Sequence, residues 1–524
     1  MSELKIIFVT GGVMSSLGKG VTASSIASLL QMHGFNVKIR KLEPYLNVDA
    51  GTINPEQHGE VFVTDDGIET DMDIGNYERF TEIKCTKNDY ITSGQIFSNV
   101  IQDERQGKYL GETVQIIPHV TDMIQKKIIE KIPANTDFLI CEIGGTVGDI
   151  EGMPFLESIK RQANKSHVMY VHIGLMPFLE KSSEFKTKPV QHSISELQKF
   201  GIKPNMVLCR SVEDYSDLSW KKKIADFANL PEDMIIPAWN QSSIYNLKYQ
   251  YNQYNIVEKI CSFFKIKSSK IQVLPFNIST KKQINVALIT KYQKIQDAYC
   301  SIIEAVKHAS WANNAEPNIT NIDSENINVE DIAQYDAIIV PGGFGHRGID
   351  GKLAALEFAR KNDIPCLGIC LGMQLMVIEC LQNIYKIRTN SSEFEDVSNP
   401  AICIINQDEQ SKGGTMRLGA YKCHISGKLL DIYSDSCHRI ENNIISERHR
   451  HRYEVNHFLY KNQLEEVFEL SAWSPGQQFL EGFIHKTHPF YLGVQFHPEF
   501  QTYINDPHPL FVNLIKAGLN RNNS

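Results

Sequence analysis

Short unbroken apolar runs alternate along this chain with longer segments whose apolar residues recur at helical spacing. Lys5-Ile6-Ile7-Phe8-Val9-Thr10 reads as a buried strand, and the small and apolar residues from Val21 to Leu30 read as the helix that follows. A second strand is predicted over Asn36–Lys41, and a third over Thr136–Glu142, an apolar run that ends in a carboxylate. Strand, helix, strand in this order opens a parallel sheet whose ligand sits at the strand C-termini. The pattern restarts further on, with strands at Ile284–Ile289, Ala337–Val340, Ile364–Ile369 and Tyr491–Phe496 and a helix at Ile295–His308. Between the halves, the Lys- and Ser-rich stretch from Phe264 to Gln283, with Pro275 inside it, reads as a connection. The expectation is an α/β protein of two domains, each a mostly parallel sheet flanked by helices, at 1–265 and 283–524 with a linker at 266–282.

Between the first strand and helix lies Gly11-Gly12-Val13-Met14-Ser15-Ser16-Leu17-Gly18-Lys19-Gly20. A glycine-rich turn at a helix N-terminus cradles anions, because backbone N–H groups and the helix dipole both favour negative charge. The spacing departs from the usual phosphate loop: five residues separate Gly12 from Gly18, and Gly20 stands where a magnesium-binding hydroxyl is expected. Lys38, Arg40 and Lys41 end the second strand, either as solvated cations or facing phosphate. The acidic stretch Asp65-Asp66-Gly67-Ile68-Glu69-Thr70-Asp71-Met72-Asp73 reads as an exposed loop or as a source of a magnesium ligand. Glu142, at the end of a buried strand, must be paired, hydrated or metal-bound.

In the second half, Gly368-Ile369-Cys370-Leu371-Gly372 has the form of a nucleophile elbow, a sharp strand-to-helix turn with glycines on both sides of the reactive group. Cys366 and Cys380 read as small buried hydrophobes. Three His-Pro pairs follow near the C-terminus, at His488, His497 and His508. Only His497 has a carboxylate two residues on, which gives Cys370-His497-Glu499 as nucleophile, base and orienting acid.

Length and composition suit two or three ordinary globular domains: 524 residues, 42% hydrophobic and 22% charged. The net charge of -8 argues against broad nucleic-acid binding, so the basic run Glu447–Arg452 reads as structural and substrate-positioning. No apolar run approaches the length of a membrane span, and no secretory leader is expected. Eleven cysteines without CxxC pairs point to reduced thiols, a cytoplasmic setting and no structural zinc.

The segments GGVMSSLGKG, KLEPYLNVDAGT, HGEVFVTDDGIETDMDIGNYERF, EIGGTVGDIE and FKTKPVQHS, in this order across residues 1–265, resemble the CTP synthase family. The resemblance implies an amidoligase domain that phosphorylates UTP at O4 with ATP and lets ammonia displace the phosphate. It implies ATP contacts at Ser16, Leu17, Gly18, Lys19, Gly20, Val21 and Asp73, and Mg2+ ligands at Asp73 and Glu142. UTP or CTP contacts are implied at Ser15, Asp149, Ile150, Glu151, Lys186, Thr187, Lys188, Pro189, Val190, Gln191 and Lys223, and Lys41 is placed for phosphate charge. The approach Trp239-Asn240-Gln241 departs from the Asp-Val pair common near the adenine in the family.

Residues 283–515 resemble the class I glutamine amidotransferase domain. That implies a glutamyl thioester on Cys370 and an oxyanion hole from the Gly343 and Leu371 N–H groups. Glutamine contacts are implied at Gly343, Leu371, Gly372, Met373, Gln374, Glu393 and Arg452. The family further implies GTP activation near Phe344–Gly348, CTP feedback inhibition, a homotetramer, and an enclosed ammonia passage with His58 and Val61 as wall residues. Two other readings compete: an amidase of the cobyric-acid type, which would lack FKTKPVQHS, and a filament-forming or regulatory protein with a dead site.

Overall fold

The computed structural model describes residues 4–14, 17–179, 184–212, 218–269, 271–276, 282–291, 296–404 and 416–521, so Ser15 and Ser16 lie outside the described residues. The chain divides into two compact units, one of residues 1–52 and 73–277, the other of residues 53–72 and 278–524.

The first unit is built on seven strands: β1 (Lys5–Gly11), β2 (Val37–Glu43), β3 (Tyr90–Thr92), β4 (Phe138–Ile143), β5 (His167–Leu175), β6 (Met206–Ser211) and β7 (Ile235–Trp239). They lie in the order β7-β6-β5-β1-β4-β2-β3, every neighbouring pair parallel. All of β1 and β4 is buried, as expected where helices cover both faces of a parallel sheet. Helices α1 (Lys19–Met32), α2 (Met72–Thr81), α3 (Lys188–Lys199) and α4 (Trp220–Ala228) bring the polar residues considered below to this sheet. The part of the expected connection that is described packs on this unit. Phe264 and Val273 are buried, and the Phe276 backbone exchanges two hydrogen bonds with the Asn246 side chain (2.7 and 3.1 Å).

The second unit is built on a sheet of nine strands: β8 (Lys282–Thr290), β9 (Ala315–Asp323), β10 (Ala337–Val340), β11 (Cys366–Ile369), β12 (Arg417–Ile425), β13 (Ile444–His451), β14 (Phe468–Trp473), β15 (Leu480–His485) and β16 (Tyr491–Val494). Their order is β9-β8-β10-β11-β16-β15-β14-β12-β13. Pairing is parallel from β9 to β16 and antiparallel from β16 to β13. Successive residues of β8 feed different cores: Ile284, Val286 and Leu288 enter one, Ala287 and Ile289 the other. That is the two-residue period of a strand covered on both faces. Helices α5 (Ile349–Lys361) and α6 (Leu371–Glu379) follow β10 and β11.

The acidic stretch around Asp65 belongs to this second unit. It forms a small hairpin, Phe62–Val63 against Glu69–Thr70. Asp65 O accepts from Ala420 N (2.9 Å), and Gly67 and Gly419 pack so closely that a Cβ on either would collide with the other's strand.

Candidate functional site

In the first unit, polar residues converge at the C-terminal ends of β1, β2 and β4. Parallel pairing sets Lys41 beside Glu142 and Glu142 beside Val9. Gly18 caps α1 in the left-handed region (φ 90°), which only glycine adopts without strain, so the chain turns tightly from loop into helix. Lys19 and Gly20 then lie buried in the first turn, with Leu17 buried before them and Val21 partly exposed after them. Lys19 Nζ donates to Gly145 O (2.6 Å). A Cβ at Gly20 would fall 2.0 Å from Asp73 Oδ1, so Asp73 from α2 stands directly over the start of α1. Lys41 Nζ bridges Asp73 Oδ2 (2.5 Å) and Glu142 Oε1 (2.8 Å), and Tyr77 donates to the other Glu142 oxygen. Burial, then Asp73, raises the Glu142 pKa, opposed by Lys41 and Lys19. Burial and Lys41 lower that of Lys19. Two carboxylates that both reach one ammonium can share one small cation, which is the donor set magnesium takes beside substrate phosphates. Among the described residues no three His, Cys, Asp or Glu side chains form a metal cage, so such an ion would need phosphate oxygens and water as well.

A cleft of about 470 Å³ opens next to the glycine-rich loop, lined by Val13, Thr146–Asp149, Pro189, His192, Ser193 and Glu196. Asp149 and Pro189 come from the residues singled out in the sequence. Ile150 and Glu151 are exposed beyond Asp149. Thr187 is buried at the start of α3, and Val190 and Gln191 are buried along it, with Gln191 Nε2 3.4 Å from Thr187 Oγ1. Lys186 pairs with Glu184, while Lys188 and Lys223 are exposed on α3 and α4. Trp239 is core, packed against Phe185 and Trp220, and Asn240 accepts from Arg210. One group under the cleft carried no sequence signal. Buried His172 hydrogen-bonds Thr10 (2.9 Å) and Ser193 (2.7 Å), and burial, with Lys19 adding to it, pushes its pKa down to about 3, so it stays neutral.

The second unit brings Cys370, His497 and Glu499 together. Cys370 has φ 53°, ψ −104°, a strained backbone for a non-glycine residue and the mark of a nucleophile elbow. The flanking glycines are sterically required: a Cβ on Gly372 would fall 2.0 Å from Val340 O, and one on Gly368 2.8 Å from Gly372. His497 Nδ1 lies 2.7 Å from Glu499 Oε1. Among the described residues its buried Nε2 has no conventional partner, and a Cβ at Gly342 would touch both His497 Cε1 (3.0 Å) and Cys370 Cβ (3.5 Å), so the ring stands beside the thiol. Burial alone would lower the imidazole pKa; the Glu499 carboxylate and Cys370 override it and raise it to about 10. Burial pushes the Cys366 thiol well up and Cys380 to about 12, in line with two inert core cysteines.

Gln374 donates to Tyr453 O (2.9 Å) and Gln495 Oε1 (3.1 Å), and Gln495 Nε2 reaches Cys370 Sγ (3.7 Å). Leu371, Gly372 and Met373 are buried in the first turn of α6. Glu393 accepts from Gly345 N (2.8 Å). Burial raises its pKa against Lys291 and Arg452, so Arg452 shares its surroundings. Lys291, which carried no sequence signal, donates to Phe344 O and lies next to Gly343. His488 and His508 are occupied elsewhere: His488 lies 3.3 Å from Ala359 O, and His508 pairs with Glu447 (3.2 Å).

The run Glu447–Arg452 and the acidic hairpin explain each other. Fully buried Arg448 donates to Asp65 (2.6 Å), Val63 O (3.1 Å) and Phe500 O (3.3 Å), and its own carbonyl accepts from His497 N (2.7 Å). Phe62 packs on the Arg448 guanidinium and on Phe500, which stacks on the His497 ring (5.1 Å, 12°). Arg450 pairs with Glu69 (2.7 Å). Through Arg448 and Phe500 the hairpin therefore supports His497.

Comparison with known proteins separates the possibilities. A family model described as CTP synthase N-terminus matches residues 5–266, and one described as glutamine amidotransferase class-I matches residues 294–517. A CTP synthase of Pelagibacter ubique is 44% identical over 98% of this chain and 99% of its own length. The chain belongs to the CTP synthase family. It is a glutamine-dependent ligase whose substrates are UTP, ATP and glutamine. A CTP synthase of Clostridium kluyveri is likewise 44% identical, over 98% of both chains. Among solved structures, the glutaminase domain of Trypanosoma brucei CTPS with bound acivicin is 34% identical over 45% of this chain and 94% of that chain, at a TM-score of 0.42. The cobyric-acid-type reading and the dead-site reading give way to CTP synthase. Among the described residues no helix is long and apolar enough to cross a membrane.

Proposed function

We propose that Cys370, His497 and Glu499 release ammonia from glutamine, and that Lys19, Lys41, Asp73 and Glu142 serve the ATP-driven activation of UTP. The observation that carries this reading is the strained Cys370 elbow beside a histidine that Glu499 holds protonated to about pH 10. Cys370 sulfur, as thiolate, forms a bond to the amide carbon of glutamine. The C–N bond breaks as His497 gives its proton to the leaving nitrogen. Gly343 and Leu371 N–H groups hold the oxyanion, and water then hydrolyses the thioester. Gln374, Glu393 and Arg452 hold the rest of the glutamine.

In the first unit, Lys19 and Lys41 offset the charge of the phosphoryl group passing from ATP to uracil O4. Ammonia then adds at C4 and the phosphate leaves with the O4 oxygen, giving CTP. Asp73 and Glu142 would hold Mg2+, which supplies further charge neutralisation on the phosphates. The 470 Å³ cleft by Asp149 and Pro189 takes the pyrimidine nucleotide, and CTP as inhibitor competes there. The loop from Phe344 to Gly348, gripped by Lys291 and Glu393, is the place for GTP as activator. The enzyme acts as a cytoplasmic homotetramer. Purified protein given UTP, ATP and Mg2+ should form CTP from either glutamine or ammonium chloride; no CTP from either source overturns the proposal.

A further inference from the structure

Lys352 on α5 is fully buried. Its ammonium donates to Pro341 O at 3.0 Å. Pro341 follows β10 and begins the turn Pro341-Gly342-Gly343 that walls the nucleophile, where a Cβ on Gly342 would meet both His497 and Cys370. Two consecutive glycines leave the planes of this turn free to rotate, since no Cβ restricts them. The C=O and N–H of one trans peptide point in opposite directions. Drawing Pro341 O toward α5 therefore turns Gly342 N–H to the opposite side and fixes the plane from which the Gly343 peptide continues.

The arrangement is costly. Burial pushes the Lys352 pKa down to about 7, Lys291 adds to that, and only Cys370 opposes it. A buried cation is weak grounds for stability, since an apolar side chain of similar shape is often neutral or better.

We propose that Lys352 is a positioning residue of the glutaminase reaction: its hydrogen bond to Pro341 O holds the Pro341–Gly343 turn ready to bind the oxyanion. This rests on Cys370 being the nucleophile. Losing one oxyanion donor costs about 10²–10³-fold in kcat, and losing the anchor of one costs less, about 10–100-fold. Alkylation of Cys370 by iodoacetamide displaces iodide at carbon and forms no oxyanion, so it does not use the turn.

The test is Lys352→Met in the full-length protein, with Lys352→Leu as a second variant should the first not fold. Expected are a glutaminase kcat about 10–100-fold down, KM for glutamine and the Cys370 alkylation rate each within about threefold, and ammonia-driven CTP synthesis unchanged. A kcat within threefold of wild type overturns the proposal. So does alkylation falling in step with kcat, which marks general damage to the site. Cys370→Ala in the same assay checks the underlying reading: glutamine hydrolysis that survives there sinks the nucleophile assignment and not the role of Lys352.

Discussion

The charged cluster at the strand ends of the first unit and the triad of the second differ in what completes them. In the first, opposite charges satisfy one another: Lys41 bridges Asp73 and Glu142, and Lys19 rests on Gly145 O. Under the proposed reading, phosphates entering there take over these cations, and the cluster is chemically finished only with substrate. In the second, Glu499 already orients His497, Arg448 already fixes its backbone, and the Cys370 turn is already strained. Phosphoryl transfer needs charge placed around a substrate, whereas covalent catalysis needs a nucleophile prepared in advance.

Outside the nucleophile itself, the broadest effect, on both nitrogen sources at once, is expected for Lys41→Met. It leaves Asp73 and Glu142 without the ammonium that bridges them and, in the proposed reading, removes a charge that meets phosphate. CTP synthesis should fall by about 10²–10³-fold with ammonia and with glutamine alike, because both routes end at the same amination step. Steady-state rates with each nitrogen source check this, and an effect confined to glutamine would break the contrast.

Glu499→Gln should cost glutamine-driven synthesis about 10²–10⁴-fold and leave ammonia-driven synthesis intact. It also has a pH signature. The His497 pKa is raised above its usual 6.5 to about 10, so the stability this pairing contributes is fully present below pH 6.5 and lost as pH rises through about 10. The Tm gap between wild type and Glu499→Gln should be widest near pH 6 and close above about pH 10. A gap that widens with pH would contradict the ion pair.

A smaller effect is expected for Asp65→Asn, which removes the carboxylate from buried Arg448 at a stability cost of about 1–3 kcal/mol by denaturant titration. Glutaminase kcat should fall less than about tenfold, since Val63 O and Phe500 O still hold the guanidinium.

Much of the fold was legible because buried parallel strands announce themselves. The run Lys5–Thr10 became β1, Ala337–Val340 became β10 at those limits, and Cys370 landed at the elbow its flanking glycines suggested. The antiparallel extension through β15, β14, β12 and β13 was not legible, because its strands carry charged residues even where they are buried, as at Glu447 and Arg448, so they lack the apolar run of a core strand. The role of Asp65 and Glu69 was hidden for a related reason. An acidic loop reads the same whether it meets water, metal or arginine, and its partners Arg448 and Arg450 lie more than 380 positions away. The carboxylate two residues after His497 marked the histidine that lies beside Cys370, although His508 also has one, Glu447, from a distant strand. Lys352 and His172 gave no signal at all, because a lysine or histidine in sequence does not reveal its burial.

The central claim is that this chain contains a covalent ammonia-releasing site whose chemistry is separable from the amination of UTP. It is tested most directly by Cys370→Ala assayed with UTP, ATP and Mg2+ against saturating glutamine and, separately, ammonium chloride. The account predicts that glutamine-driven CTP disappears into background, a loss of at least about 10³-fold, while the ammonia-driven rate stays within about twofold of wild type. Glutamine-driven CTP persisting in that variant, or both activities lost from a well-folded protein, would contradict it.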